Sequence, residues 1–233
     1  MELKELFLQF RKAVSGMATK AGRDEKEKSK QRILDSAAKL FAQKGYDGVG
    51  IREICRDADA NICMVSYFWG GKKGLYKGIV DNLVERQTAY AKKFFNFDIE
   101  PETLPKKEQI DLLFIILDKA IDLVYGDFMS KDLFRFLLQE QQNGNIELTS
   151  PTFTYIRKLI GAIFNKDYND RDIIFKMVFI LSQMNSPRIM PAFSLLLLRQ
   201  DNFTEEDIAI IKKNVKIYVN ALLKKEGLPQ LLI

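Results

Sequence analysis

Between Ser29 and Tyr76 the apolar residues fall into three helical stretches, two of them too short to stand alone, and this spacing constrains the fold more than any other feature of the chain. From Ser29 to Lys44, Ile33, Ala37, Leu40 and Phe41 recur at the three- and four-residue intervals of one helix face, with Lys30, Arg32, Lys39 and Lys44 between them. Gly45 follows the last periodic position, where a left-handed residue closes a helix without steric cost, and Tyr46 can fold back onto the final turn. A second helix from Ile51 to about Ala58 buries Ile51, Ile54 and Ala58 and turns Arg52, Glu53, Arg56 and Asp57 to water. After Asp59 and Ala60, the Asn61 side chain suits the free amides of a new first turn, so a third helix is expected from Ile62 to about Phe68. Two short helices around such a turn form a helix-turn-helix, whose second helix can enter a DNA major groove.

The run ILDSAAKLFAQKGYDGVGIREICRDADANICMVSYFWGGKKGLY, from Ile33 to Tyr76, resembles the N-terminal DNA-binding domain of the TetR family of transcriptional regulators. The likeness rests on AAKLFAQKGY in the first helix, IREI in the second, the aromatic Tyr67-Phe68-Trp69, and the Lys72 to Leu75 step. Within the family it looks most like the CecR-type subgroup, which often reads N-x-x-x-V-N-Y-H-F-G where this chain has Asn61 to Gly70. LLQEQQ, SPTF at Ser150 to Phe153 and FTEEDI at Phe203 to Ile208 are similar to phrases of that subgroup's effector domain. The resemblance implies an all-α chain with a three-helix helix-turn-helix domain over 29–76 and a helical effector-binding and dimerisation domain over 77–233. Residues 1–28 are then an N-terminal amphipathic extension and charged arm. It also implies a homodimer on a palindromic double-stranded DNA operator, released by a small-molecule effector.

The departures from the family pattern fall on expected DNA contacts. Val49-Gly50-Ile51 lacks the usual Thr hydroxyl, Asp59 stands where a small turn glycine is usual, Ser66 replaces a common Tyr or Asn, and Phe68 replaces a His. The residues expected at DNA are Asn61, Ile62, Cys63, Met64, Ser66 and Tyr67 of the third helix, with Arg52 and Lys72. Arg52 either reaches a guanine edge with both arms or is a solvated helix residue. Lys72, just past the recognition helix, is expected on a phosphate. Ser66 and Tyr67 offer hydroxyls, although Tyr67 can pack in the core instead, and Ile62 and Met64 offer apolar contacts such as those to thymine methyls.

Charge is uneven along the 233 residues. Residues 1–96 hold 19 Lys/Arg and 12 Asp/Glu, a net +7, while 97–233 hold 17 and 19, a net −2, which together give the chain's +5. A basic helix face is often merely solvated, so it is the helix-turn-helix that points this charge toward nucleic acid. With 0 histidines, a histidine triad, a histidine-ligated metal site and a histidine pH switch are all excluded. Cys55 and Cys63 form no CxxC, Cys55 reading as a small core residue and Cys63 as a thiol on the recognition helix. No catalytic, metal or cofactor site is expected.

In residues 1–18, Leu3, Leu6, Phe7, Phe10, Val14 and Met17 share one helical face. That segment reads as an additional packed helix, a membrane-surface helix, or sequence ahead of a start at Met17; Glu5, Arg11 and Lys12 fit a signal peptide poorly. Residues 19–30 read as a charged, flexible arm. A long connecting helix is expected from Leu75 to about Phe97, with Leu75, Ile79, Leu83, Ala89 and Tyr90 as its apolar track. Helices follow near 106–125, 129–143, 151–166, 170–185, 187–200 and 204–225, with Pro187 separating two of them. The longest apolar runs, such as Leu195 to Leu198, are far too short to span a bilayer, so a cytoplasmic protein with no membrane partner is expected.

In the second half, Phe114, Phe134, Phe153 and Phe179 with the polar groups Gln139, Gln183 and Arg188 are candidates for an effector pocket, although aromatics at helical spacing are more often core. Ile173, Ile174, Met177, Ile180, Ile208, Ile211, Val215, Tyr218 and Leu222 on the late helices supply enough apolar surface for a core and a dimer interface. A reading of another class is a helical membrane-surface or protein-interaction protein using residues 1–18, its basic half drawn to anionic lipid.

Overall fold

The computed structural model describes residues 25–144 and 150–231, and every regular element among them is a helix. The amphipathic segment expected at 1–18 and the beginning of the arm lie outside the described residues. Helix α1 covers 25–44, so residues 25–30, expected as flexible arm, are helical. Lys30 reaches Glu27 at 3.9 Å and Arg32 reaches Glu25 at 3.5 Å, and acidic side chains suit the positive end of a helix. The other end closes as expected: Gly45 takes φ 71° and donates to the Phe41 carbonyl at 2.9 Å, and Tyr46 stacks on Phe41 at 5.7 Å.

Next come α2 (Ile51–Asp57), α3 (Cys63–Trp69) and α4 (Lys72–Ala91). α4 stops short of Phe97. The amides of Lys93 and Phe94 tighten onto carbonyls three residues back, and Phe95 and Phe97 leave the helix to pack on Tyr155 at 5.4 and 5.5 Å. Ala89, expected on the buried track, is exposed; Ala91 takes that place because it continues the four-residue step of Leu75, Ile79 and Leu83.

The chain divides into two compact units. The first is described over 25–82 and 135–139, with Ile33, Ala37, Phe41, Ile54, Val65, Leu75 and Ile79 as its core. Its second segment belongs to α6 (Lys131–Gln142) and contributes Phe136, which is 1% exposed. Tyr76 joins Phe41, Tyr46 and Phe136 edge-on at 5.2, 5.0 and 5.2 Å, so four rings form one aromatic cluster.

In the second unit α5 (Lys106–Tyr125), α7 (Pro151–Phe164), α8 (Arg171–Ile189) and α10 (Glu205–Lys225) surround Leu113, Leu117, Leu159, Ile160, Ile173, Ile180, Val215 and Leu223. The helix starts are written in the sequence. The Ser150 hydroxyl accepts from the Phe153 amide ahead of Pro151, and Thr204 and Asp207 bond reciprocally in a capping box. The SPTF and FTEEDI phrases are therefore the N-termini of α7 and α10. At the far end of α7, the Lys106 ammonium donates to the Ala162 and Ile163 carbonyls and to Asn165 Oδ1.

Pro187 does not separate two helices. α8 runs through it to Ile189, and the break falls at Met190 before α9 (Pro191–Leu198). A proline costs one amide bond, tolerable so close to the helix end, and the Ser194 hydroxyl satisfies the Pro187 carbonyl at 2.8 Å. α8 and α10 bury Ile173, Ile180, Ile211 and Val215 while Phe175, Val178, Phe179, Ile210 and Ile217 face outward, as do Phe193, Leu196 and Leu197 of α9. No helix among the described residues is long and apolar enough to cross a membrane.

Candidate nucleic-acid interface

Four side chains on α1 fix α2 against it. Arg32 Nε donates to the Ala58 carbonyl at 3.2 Å, Ser36 Oγ to the Ile54 carbonyl and to Asp57 Oδ2 at 3.1 and 2.8 Å, Lys39 reaches Asp57 Oδ1 at 2.8 Å, and Lys44 pairs with Glu53. The hydrogen bonds from Lys39 and Ser36 hold the Asp57 carboxyl below its usual range, and that from Lys44 does the same for Glu53. Both carboxylates of α2 are thereby neutralised on the side facing α1. Arg52 and Arg56 stay exposed, with no ion pair among the described residues, so the free face of α2 is cationic.

The turn is a Schellman closure without glycine. Ala60 N–H donates to the Cys55 carbonyl at 2.9 Å, Asp59 N–H to that of Arg56 at 3.4 Å, and Asp59 takes φ 47°. Asp is among the few L-residues that enter this region at modest cost, which is how the chain makes the turn without the expected glycine. Beyond it, Ile62 is already helical ahead of α3, and the Asn61 carboxamide oxygen accepts from Cys63 N–H at 2.8 Å. Asn61 thus supplies the acceptor expected of it, one residue before the position that directly precedes the helix.

α3 is held by one fully buried residue, Val65, and by Trp69, whose indole lies on Gly78 of α4. A Cβ at Gly78 would stand 2.4 Å from Trp69 Nε1, so this close approach needs glycine. With Val65 turned inward, Asn61, Ile62, Cys63, Ser66 and Tyr67 face outward, Tyr67 at 71% exposure. Met64 is half-buried at the edge of that face. Tyr67 therefore does not pack in the core. Its ring carries the Lys26 ammonium at 5.0 Å, and Lys30 lies 5.9 Å over Phe68. The Lys72 ammonium rests 4.3 Å over the Tyr46 ring. Sequence reasoning missed Lys26 because it fell in the stretch taken for a flexible arm; the helical register linking it to Lys30 and Arg32 was the available signal. Cys63 is an exposed free thiol, whereas Cys55 is buried and burial raises its pKa.

The effector candidates are more scattered. Phe114 is buried in the core of the second unit, Phe153 is half-buried on the first turn of α7, and Phe179 and Gln183 lie on the exposed face of α8. Gln139 belongs to the first unit, where it donates to the Ala42 carbonyl at 3.3 Å. Phe134 and Arg188 are brought together, the guanidinium 4.7 Å above the ring.

Residues 33–79 match the family model described as bacterial regulatory proteins, tetR family. The chain is 29% identical over 170 residues to the "Probable HTH-type transcriptional regulator YttP" of Bacillus subtilis (strain 168), covering 71% of this chain and 78% of that one. It is 24% identical over 216 residues to the "HTH-type transcriptional dual regulator CecR" of Shigella flexneri, covering 88% and 94%. Among solved structures, a transcriptional regulator of the TerR/AcrR family from Aquifex aeolicus VF5 superposes with a TM-score of 0.52 at 16% identity, covering 83% of this chain and 99% of that one. The helix-turn-helix geometry, the family match that coincides with it and the likeness along most of the chain agree: residues 33–79 match the DNA-binding domain of the tetR family, and the chain as a whole is similar to transcriptional regulators of that type.

Proposed function

We propose that the protein is a cytoplasmic, dimeric repressor that binds a palindromic operator through α3 and leaves it when a small-molecule effector binds the second unit. The observation that carries the DNA half of this reading is the outward face of α3, Asn61, Ile62, Cys63, Ser66 and Tyr67, with Lys26 and Lys30 over its aromatic rings and the exposed Arg52 and Arg56 on the preceding helix of the same unit. Asn61 and Ser66 offer hydrogen bonds to base edges, Ile62 an apolar contact, and the flanking cations suit phosphates. Lys72 can swing from Tyr46 to a phosphate, since an ammonium over an aromatic ring at an exposed site is held by only about 0.5–1 kcal/mol.

A single seven-residue helix reads few bases, so specificity calls for two copies. The outward Phe175, Val178 and Phe179 of α8 with Ile210 and Ile217 of α10 support a self-complementary helical interface. Such a dimer would set two α3 helices about 34–36 Å apart, one turn of DNA. α4 runs continuously from the first unit into the second, and its tilt is a direct way for an effector to alter that separation.

The test is salt-dependent operator affinity. Lys72→Ala should weaken binding to all sequences and reduce the log–log salt slope by about 0.9 for each copy. Arg52→Ala should relax preference at one base pair by about 1–3 kcal/mol. Unchanged affinity and slope in both variants would remove α3 and its borders from the interface.

A further inference from the structure

Arg188, in the last turn of α8, is the one candidate effector residue with an unusual electrostatic setting. Its guanidinium is half-buried over the Phe134 ring and gives one N–H to the Met129 carbonyl. A guanidinium has five donors, and no carboxylate among the described residues pairs with this one. Among the described residues the titratable group that acts on it is Tyr125, whose phenol burial pushes up to about 12. It is neutral at pH 7, and its hydroxyl is spent on the Met184 carbonyl at 2.9 Å. The surroundings are apolar: Phe134, buried Met129 and Met184, and Phe203 edge-on to Tyr125 at 5.0 Å.

Other partly buried cations of the same unit are treated differently. Lys212 is held by Asp118 and Asp122 at 3.1 and 2.6 Å, and Lys106 has three oxygen acceptors at the end of α7. A brace between α8 and the 126–130 loop accounts for one donor and one face of Arg188 and leaves the rest of its fork without a partner among the described residues. A desolvated charge without a counter-charge is costly, and a planar fork in apolar surroundings matches an oxyanion with an apolar body.

We propose that Arg188 anchors a small organic oxyanion with an apolar body, and that this is the chemical class of the effector. The inference rests on the effector reading above. The geometry also supplies a route onward. An anion that takes the fork competes with the Met129 carbonyl, and the adjacent Phe128 carries Arg86 of α4 over its ring at 4.4 Å. Occupancy at Arg188 is thereby linked through two neighbouring residues to α4.

The test compares two fluorescent probes that share one apolar body, 8-anilinonaphthalene-1-sulfonate and the neutral N-phenyl-1-naphthylamine, by titration of the full chain. The wild type should bind the anion at least about tenfold more tightly than the neutral probe. Arg188→Met, which keeps an apolar stem over Phe134, should abolish the preference; Arg188→Lys should keep part of it; and Lys213→Met, which removes an exposed charge on α10, should leave it intact. A preference that survives Arg188→Met, or a wild type with none, overturns the assignment while leaving an apolar effector site standing. Failure of the full chain to bind either probe overturns both the assignment and the effector reading. Circular dichroism of both variants guards against misfolding, since partial preference in a folded Arg188→Lys beside its loss in a folded Arg188→Met identifies the cation at this position.

Discussion

Phe136 is the sharpest test of how the DNA-binding unit is held together. It lies on α6, sixty residues beyond Tyr76 in the chain, yet it is 1% exposed and packs with Tyr76 at 5.2 Å and Phe41 at 6.4 Å in the core of that unit. Phe136→Ala removes a fully buried ring, which costs about 3–5 kcal/mol, and the neighbouring rings can collapse only partly into the space. Edge-on pairing with Tyr76 contributes about 0.5–1.5 kcal/mol of that beyond burial. Taking about 3 kcal/mol, amide protection in α1 and the first turns of α4 should fall roughly a hundredfold. Protection in α7 and in α10, whose core is Leu159, Ile160, Val215 and Leu223, should change little. Hydrogen exchange resolved by residue reads both regions at once. Unchanged protection in α1, or an equal loss in α1 and α7, would refute the assignment of this ring to the first unit.

Further expectations follow from single contacts. Gly78→Ala sets a Cβ against the Trp69 indole, displaces α3, and should weaken operator binding about tenfold, the scale of one lost base contact, with helix content unchanged by circular dichroism. Asp59→Val forces a β-branched residue to φ 47° and should unfold in urea at about 1–2 kcal/mol lower stability than Asp59→Gly. Asp172 is held down to about 2 by hydrogen bonds from Lys166 and Lys176, against an ordinary 3.8. A depressed carboxyl stabilises the fold above its unfolded pKa and loses that contribution as pH falls from about 4 through 2. Because the group is half exposed, the effect is below about 1 kcal/mol, and a small melting-temperature deficit of Asp172→Asn at pH 7 should vanish near pH 2.

Local signals carried much of this structure. The Gly45 stop, the Asn61 carboxamide, the Ser150 cap and the Thr204 capping box are each fixed by a few neighbouring residues, and those helix ends lie within a residue or two of where the sequence puts them. Errors arose where distant contacts decide. Residues 25–30 look like a charged arm in isolation, but Lys26 and Lys30 meet the Tyr67 and Phe68 rings about forty residues along the chain. Phe95 and Phe97 continue a helical pattern until Tyr155 draws them off it, and Pro187 looks like a break until its position near the end of α8 is known. In the interface, Asn61, Ile62, Cys63, Ser66 and Tyr67 of the expected set do face outward, while Met64 is half-buried and the place of Tyr67, open in the sequence, is decided by Val65 turning inward. Which acidic groups would be neutralised by α1, and hence that Arg52 and Arg56 would have no ion pair among the described residues, depended on pairings across the fold. For the effector set there was no local rule, since an aromatic on a helix is equally readable as core.

Sequence-specific DNA recognition by α3 is tested by binding of the full chain to labelled DNA from upstream of its own gene. Fluorescence anisotropy with and without excess random competitor, combined with footprinting, separates specific from generic association. The expected result is binding that resists competitor, a footprint over two related half-sites about one helical turn apart, and loss of that footprint on exchanging the outward residues Asn61, Ile62 and Ser66 for alanine. Binding abolished equally by any competitor at moderate salt, or a footprint unchanged in that triple variant, would contradict it.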